Sequence, residues 1–254
     1  MDDNSGMKVF ALTDRGNLRK SNEDCVYASA EDGLLIAADG MGGHAGGEVA
    51  SALAVRIISQ MLRGSLPHAA GLLETWAPHL LRHAVRQADA AIHARAGSDP
   101  ALAGMGTTVV LALCRRDAIA VAHAGDSRAY LLRDGKLAQI TRDHSLVRQM
   151  VDTGAITADE ARKHNLRNVV TQCLGGQEHA EADVRLLAWK PGDILLLCTD
   201  GLTNMVEDRE IEQVLRDGGA DLESSARKLV QMANESGGID NISVVVGCLE
   251  ETAA

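Results

Sequence analysis

Short apolar runs and longer amphipathic stretches come in groups along this chain. Residues 7–13 (MKVFALT) predict a first strand, and 33–38 (GLLIAA), bounded by Gly and Asp-Gly, a buried one. Residues 47–63 predict a helix, because Val49, Leu53, Ile57 and Met61 recur every fourth position. A second helix is expected over about 69–96, with Pro78 marking a restart or kink. Strands then follow in series at 107–114, 118–123, 127–133 and 136–140, the last two joined by the two-residue turn Asp134-Gly135. Residues 142–180 carry no strand pattern and read as two short helices and a loop, a flap over something. Strands resume at 183–188 and 193–199. Helices are expected at about 207–216 and 221–235, the latter stopped by Gly237-Gly238, and a last strand at 242–249. Strands grouped with strands and helices with helices predict an α+β class rather than alternating βαβ units.

Composition narrows the partners. Asp+Glu number 35 against Lys+Arg 25, a net charge of −10, and only five residues are aromatic: one Phe, two Trp and two Tyr. Repulsion from phosphate backbones and anionic headgroups weighs against nucleic acid and membrane surfaces, and the aromatic scarcity against base-stacking platforms. The apolar runs fall far short of the roughly 20 residues that span a bilayer. No signal peptide is seen in MDDNSG. Cys25, Cys114, Cys173, Cys198 and Cys248 form no CxxC pair, which fits a reducing, cytoplasmic compartment.

Candidate chemistry lies in where carboxylates fall. Asp39 follows LLIAA, Asp126 follows IAVAHAG, Asp200 follows ILLLCT, and Asp240 immediately precedes NISVVVG. Acids gathered at one pole of a sheet repel in a partly desolvated cleft, and a divalent cation removes that cost. Carboxylates with carbonyls and water are ligands for Mg²⁺ or Mn²⁺, whereas His and Cys point to Zn²⁺. Any single strand-end Asp is as readily a turn or a cap, and spacing alone does not prove that the four converge. A second element, Asp14-Arg-Gly-Asn-Leu-Arg19-Lys-Ser-Asn-Glu23-Asp24, sets a guanidinium beside acids, suited either to phosphate or to a local salt bridge.

TDRGNLRKSNED, AADGMGGHAGGEVAS, GMGTT, AHAGDSRAYLLRDG, TRDHSLV, NVVTQCLGG, CTDGLTN and GIDNISVVV together resemble, in order, the signature segments of the protein phosphatase 2C-like (PPM) family of metal-dependent Ser/Thr phosphatases, in its bacterial form. The resemblance covers roughly residues 7–249. It implies a four-layer α-β-β-α sandwich of two antiparallel sheets flanked by helices, as one domain over 7–249. A disordered tail at 1–6, a C-terminal tail at 250–254 and a flap at about 142–168 complete the expected organisation. It further implies two Mn²⁺ or Mg²⁺ ions in the core site. Asp39 would bridge them, with the Gly40 carbonyl on one. Asp200 and Asp240 would bind the first ion, Glu23 would lie by the second with Asp24 as its neighbour, and Asp126 with Asp200 would hold a third, looser ion. Arg19 would bind the substrate phosphate, and a metal-bridging hydroxide would attack phosphorus in line. The chain departs from the pattern at Met41, where many members carry His. His44 is then the candidate acid for the leaving group, with metal-bound water as the alternative. Phosphorylated proteins are the expected substrates, a Ser/Thr kinase the expected opponent, and a monomer the default.

Thr107 and Thr108 are expected in a core strand, His123 and His144 in structural roles, and His68, His79, His83 and His93 on helix faces. Arg142, Arg148, Arg162 and Arg167 in the flap could meet an acidic phosphopeptide or simply face solvent. Two rivals remain. Gly40, Gly42 and Ala45 fit the GxGxxA fingerprint of dinucleotide sites, but no parallel strand is expected to follow. A non-catalytic module of the same fold would have lost ligands that this chain retains. A cysteine-phosphatase loop is absent, since no Cys has an Arg six positions later.

Overall fold

The computed structural model describes residues 6–42, 46–65, 73–115 and 117–249. His44, His68, residues 69–72 of the expected second helix, residues 1–5 of the expected N-terminal tail and the whole C-terminal tail 250–254 lie outside them.

Eleven strands are described: β1 (Met7–Asp14), β2 (Asp24–Ser29), β3 (Leu34–Met41), β4 (Gly106–Thr107), β5 (Val109–Arg115), β6 (Ala118–Ala124), β7 (Arg128–Arg133), β8 (Lys136–Gln139), β9 (Asp183–Ala188), β10 (Ile194–Cys198) and β11 (Ile242–Leu249). Seven helices accompany them: α1 (Gly46–Ser65), α2 (Leu73–Ser98), α3 (Leu146–Asp152), α4 (Ala158–Lys163), α5 (Asp200–Thr203), α6 (Asp208–Gly218) and α7 (Leu222–Glu235). One sheet runs β1-β11-β10-β7-β8. The other runs β2-β3-β5-β6-β9, with β4 paired to β3. Every described pairing is antiparallel, so the dinucleotide reading fails for lack of a parallel βαβ unit.

The period of two along the strands builds four layers. In β3, Leu34, Ile36 and Ala38 pack among α1 and α2, while Leu35 and Ala37 face the opposite sheet. In β10, Ile194, Leu196 and Cys198 pack among α6 and α7, while Leu195 and Leu197 turn inward. Both faces of these strands are covered, which is why they read as continuous apolar runs rather than as alternation. The order α1/α2, sheet, sheet, α6/α7 is the expected α-β-β-α sandwich.

Several expectations shift. No strand is expected at 24–29, where the structure places β2. It is an edge strand, half-buried at every position, and so shows no alternation. The stripe Val49, Leu53, Ile57 and Met61 flanks the α1 contact. The fully buried line is one residue on, at Ala50, Ala54, Ile58 and Leu62, where two alanines allow close approach to the sheet. Pro78 stands inside α2 and does not restart it. Thr108 falls between β4 and β5 and divides the expected strand 107–114. Asp134 (φ +52°) and Gly135 (φ +74°) close the β7–β8 hairpin as expected. The expected flap contains α3 and α4, the latter fixed by a reciprocal capping box between Thr157 and Glu160.

Candidate active site

The acids reach one end of the sandwich from both sheets. Pairing of β2 with β3 sets Asp24 opposite Asp39. Asp126 sits in the β6–β7 turn, Asp200 opens α5 directly after β10, and Asp240 precedes β11. Burial, then the charges of Asp24, Asp200, Asp126 and Asp240, push the Asp39 carboxyl well above the ordinary carboxylate range. The convergence that spacing could not prove is therefore present: five aspartates act on one another across two sheets.

Their backbones are held closely. The Asp39 carbonyl accepts from the Thr108 amide and the Thr107 hydroxyl, both at 2.9 Å, and the Asp39 amide donates to Thr108 Oγ1 at 3.1 Å. Thr107 and Thr108 are thus buried as expected, and they also fix Asp39. The Gly40 amide donates to the Glu23 carbonyl at 3.1 Å. A Cβ on Gly40 would stand 2.2 Å from the Gly47 carbonyl oxygen and 2.4 Å from that of Glu23, so no side chain fits. Asn241 pins the Arg19 loop: its Oδ1 accepts from the Glu23 amide at 2.8 Å, and its Nδ2 donates to the Arg15 and Ser21 carbonyls, both at 2.9 Å. Arg19 itself is half exposed at the rim and donates to Asp240 Oδ2 at 2.6 Å.

Asp24 is the most tightly held acid. Its Oδ2 accepts from the Thr199 hydroxyl at 2.9 Å and the Ser243 hydroxyl at 2.6 Å. Burial pushes this carboxyl up to about 7, with those hydroxyls opposing and the charges of Asp200 and Asp240 adding to the rise. Burial, followed by Asp200 and Asp143, likewise raises Asp126 to about 7. Burial and then Asp240 raise Asp200, while bonds with Asp39 and Asn204 oppose the shift. Burial raises Glu23 as well, against the pull of Arg19. Thr199, Ser243 and Asn241 were not singled out from the sequence. A hydroxyl or amide near an Asp is too common to stand out until the fold brings the ends of β10 and β11, from the opposite sheet, to Asp24.

The cleft fits divalent cations by two observations. Among the described residues, the charges of the converging acids are not balanced by a matching set of basic groups. In addition, Asp24 Oδ1 and Asp200 Oδ1 are buried without a hydrogen-bond partner. An all-oxygen donor set of this kind suits Mn²⁺ or Mg²⁺. From Asp126 and Asp200 a cavity of about 410 Å³ continues toward the flap, past Arg148, Arg162 and Arg167. Arg142 and Arg148 both pair with Asp152, and Arg162 stands 3.9 Å from Asp208, so these three are not simply solvated.

The protein phosphatase 2C family model matches residues 19–243. The chain belongs to the protein phosphatase 2C family. It is a metal-dependent serine/threonine protein phosphatase with a two-ion site for Mn²⁺ or Mg²⁺. It is 39% identical over 238 residues to the serine/threonine phosphatase stp of Listeria monocytogenes, covering 92% of each chain. It is 41% identical over 240 residues to the serine/threonine protein phosphatase PstP of Mycobacterium tuberculosis, covering 94% of this chain and 44% of that longer protein. The crystal structure of PstP/Ppp superposes with a TM-score of 0.87 at 40% identity, covering 96% of this chain and 99% of that one. A structure of the PstP catalytic domain in complex with two manganese ions gives a TM-score of 0.85 at 40% identity, over 96% and 99%. The candidate acid His44 lies outside the described residues.

Proposed function

We propose that the aspartate cleft hydrolyses phosphoserine and phosphothreonine in proteins, and that Asp39 and the Gly40 carbonyl would help to hold its two ions. Asp200 and Asp240 would hold the first ion. Glu23 would serve the second, with Asp24 behind it, and Asp126 with Asp200 would offer a third, looser position. The observation that carries this reading is the convergence of four other aspartates on Asp39 together with the bare, buried oxygens of Asp24 and Asp200. When bound, the ions would supply Lewis acidity that neutralises phosphoryl charge and lowers the pKa of a coordinated water toward neutrality.

The chain's own groups do the rest. Arg19, on a loop anchored by Asn241, offers its guanidinium fork to two oxygens of the phosphate. The hydroxyls of Thr107, Thr199 and Ser243 hold Asp39 and Asp24 without adding charge, so the cleft keeps its negative potential for cations. His44 gives its proton to the departing Ser or Thr oxygen. The exposed flap arginine Arg167 contacts acidic groups flanking the phosphorylated residue.

The same reading makes the protein a monomer that opposes a Ser/Thr kinase in the cytoplasm. Support for that compartment comes from its five free cysteines. No helix among the described residues is long and apolar enough to cross a membrane. The test is hydrolysis of a phosphothreonine peptide with and without Mn²⁺. Activity is expected to vanish in EDTA and in Asp39→Ala and Asp240→Ala. Persistence in any of these sinks the mechanism. His44→Ala is expected to lower kcat and to remove the alkaline limb of its pH profile, and an unchanged profile assigns the proton to water.

A further inference from the structure

A second group of metal-ligating side chains lies outside the aspartate cleft. Asp89 and His93 are one helical turn apart on α2, which brings both side chains to one face. His179 arrives from the segment between the flap and β9. Asp89 is 2% exposed, His93 35% and His179 82%, so the group opens to solvent on the His179 side. Asp89 Oδ2 lies 2.8 Å from His179 Nδ1, and Asp89 Oδ1 lies 3.5 Å from His93 Nε2. The three ligand atoms all fall within 4.8 Å of one another. The two imidazole rings meet edge to face, 5.2 Å between centroids.

We propose that Asp89, His93 and His179 form a Zn²⁺ site that ties the segment following the flap to helix α2. The donor set decides the metal: two imidazoles and one carboxylate suit Zn²⁺, whereas the all-oxygen cleft suits Mn²⁺ or Mg²⁺. Water completes a tetrahedron on the exposed side. With Zn–N near 2.0–2.1 Å, neighbouring donors of a tetrahedral site stand about 3.3–3.5 Å apart, the spacing already found between Asp89 and His93. The carboxylate is oriented from behind by the Gly175 amide, which donates to Asp89 Oδ1 at 2.8 Å, as supporting groups do for metal ligands.

The simpler account is an ion pair made by protonated histidines. Against it stands His93 Nε2, which is buried and has no hydrogen-bond partner although it faces the carboxylate. A second His-His-Asp group in the molecule behaves differently. There, His123 Nε2 bonds the Arg142 carbonyl, His144 Nδ1 accepts from the Gly125 amide, and His144 Nε2 meets Asp183. Those nitrogens are already used within the protein. His93 Nε2 is not.

The clamp sits close to the catalytic frame. Leu174, next to Gly175, exchanges both backbone hydrogen bonds with Thr107, at 2.9 and 3.0 Å. Thr107 in turn bonds the Asp39 carbonyl. Zinc at Asp89 would therefore stiffen the strut behind Asp39 without touching substrate.

The test uses the full chain carrying Asp39→Asn and Asp240→Asn, so that the cleft binds divalent ions weakly. Stripped of metal, it is titrated with Zn²⁺ by calorimetry and with Co²⁺ by visible absorption. One equivalent of Zn²⁺ is expected to bind, and Co²⁺ to give the intense bands of a four-coordinate site. Because His179 is exposed, His179→Ala in the same background is expected to remain folded. It should lose the cobalt bands and weaken Zn²⁺ binding by about 100-fold or more, beyond what loss of a supporting group costs. Zn²⁺ should raise the melting temperature of the parent and not of the His179→Ala chain. Equal Zn²⁺ affinity in the two, or no stoichiometric binding in the parent, overturns the site.

Discussion

Of the five Asp-Gly steps in the chain, two lie in the cleft and one closes the β7–β8 hairpin. Asp39-Gly40 and Asp134-Gly135 share a dipeptide but need their glycine for different reasons. In the hairpin both residues have positive φ, and a Cβ on Gly135 would meet only Arg216 Cδ at 3.7 Å, an ordinary contact. Gly135 is there for its dihedral. Gly40 has no positive φ, but an added Cβ would collide with two backbone carbonyls, at 2.2 and 2.4 Å. Gly201 repeats the pattern, 2.0 Å from the Asn241 carbonyl. The cleft glycines let segments from different strands come near enough for their aspartates to act together. An Asp-Gly step after a buried strand thus marks close approach, and one between two alternating strands marks a turn.

Exchanging the acids should break this contrast most strongly. Asp39→Asn is expected to lower kcat for a phosphothreonine peptide at saturating Mn²⁺ by about 10³-fold, the scale of a few kcal/mol of lost charge stabilisation. Asp134→Asn should leave kcat unchanged. Equal effects from the two would mean that strand-end aspartates carry no special chemistry here. Gly40→Ala comes next. Backbone carbonyls cannot yield as a flexible side chain would, so β3 must shift by a good fraction of an ångström. Misplacement of that order costs about 10²-fold in rate. Gly201→Ala should follow the same course, checked by kcat in chains whose circular dichroism stays native.

The pH dependence of stability sharpens the comparison without kinetics. Asp24 and Asp126 titrate near 7 in the folded chain, against ordinary values near 3.8. An acid whose pKa is raised by folding binds more protons in the native state, so its contribution falls as pH rises between the two values. In EDTA the melting temperature should therefore decline from about pH 4 to pH 7. Saturating Mn²⁺ should abolish that decline by balancing the ionised acids. A flat profile in EDTA would show that burial and neighbouring charge do not hold these acids above their ordinary range.

The layers were legible because β3, β10 and β11 are buried on both faces and read as uninterrupted apolar runs. β2 was not, since an edge strand half-exposed at every residue has no pattern to detect. The acids could be picked out one by one, yet their meeting depends on pairing β2 with β3 across 15 residues of sequence, and β10 with β11 across 46, as in Asp24↔Asp39 and Cys198↔Val244. The second of these is preceded by the long return through α5, α6 and α7. Thr199, Ser243 and Asn241 escaped notice because their hydrogen bonds span as many as 226 positions. His93 was expected to be an ordinary helix-face residue, and only the distant His179 gives it another meaning.

The smallest effects belong to the hairpin. Ala at position 135 must adopt a left-handed backbone, which costs about 1–2 kcal/mol. For a chain of this size that lowers the melting temperature by roughly 2–8 °C, at about 2–4 °C per kcal/mol. Asn tolerates the left-handed region nearly as well as Asp does, so Asp134→Asn should stay within about 0.5 kcal/mol of the parent. Neither change should alter kcat or the Mn²⁺ requirement, because the turn is none of the segments that carry the acids and a Cβ at 135 would meet only Arg216 of α6. Thermal unfolding and peptide kinetics on the same preparations separate the two roles of glycine. If Gly135→Ala lowered kcat as far as Gly40→Ala, dihedral and proximity would no longer distinguish turn from cleft. A loss of melting temperature with kcat intact would show that the same two letters serve folding at one place and catalysis at another.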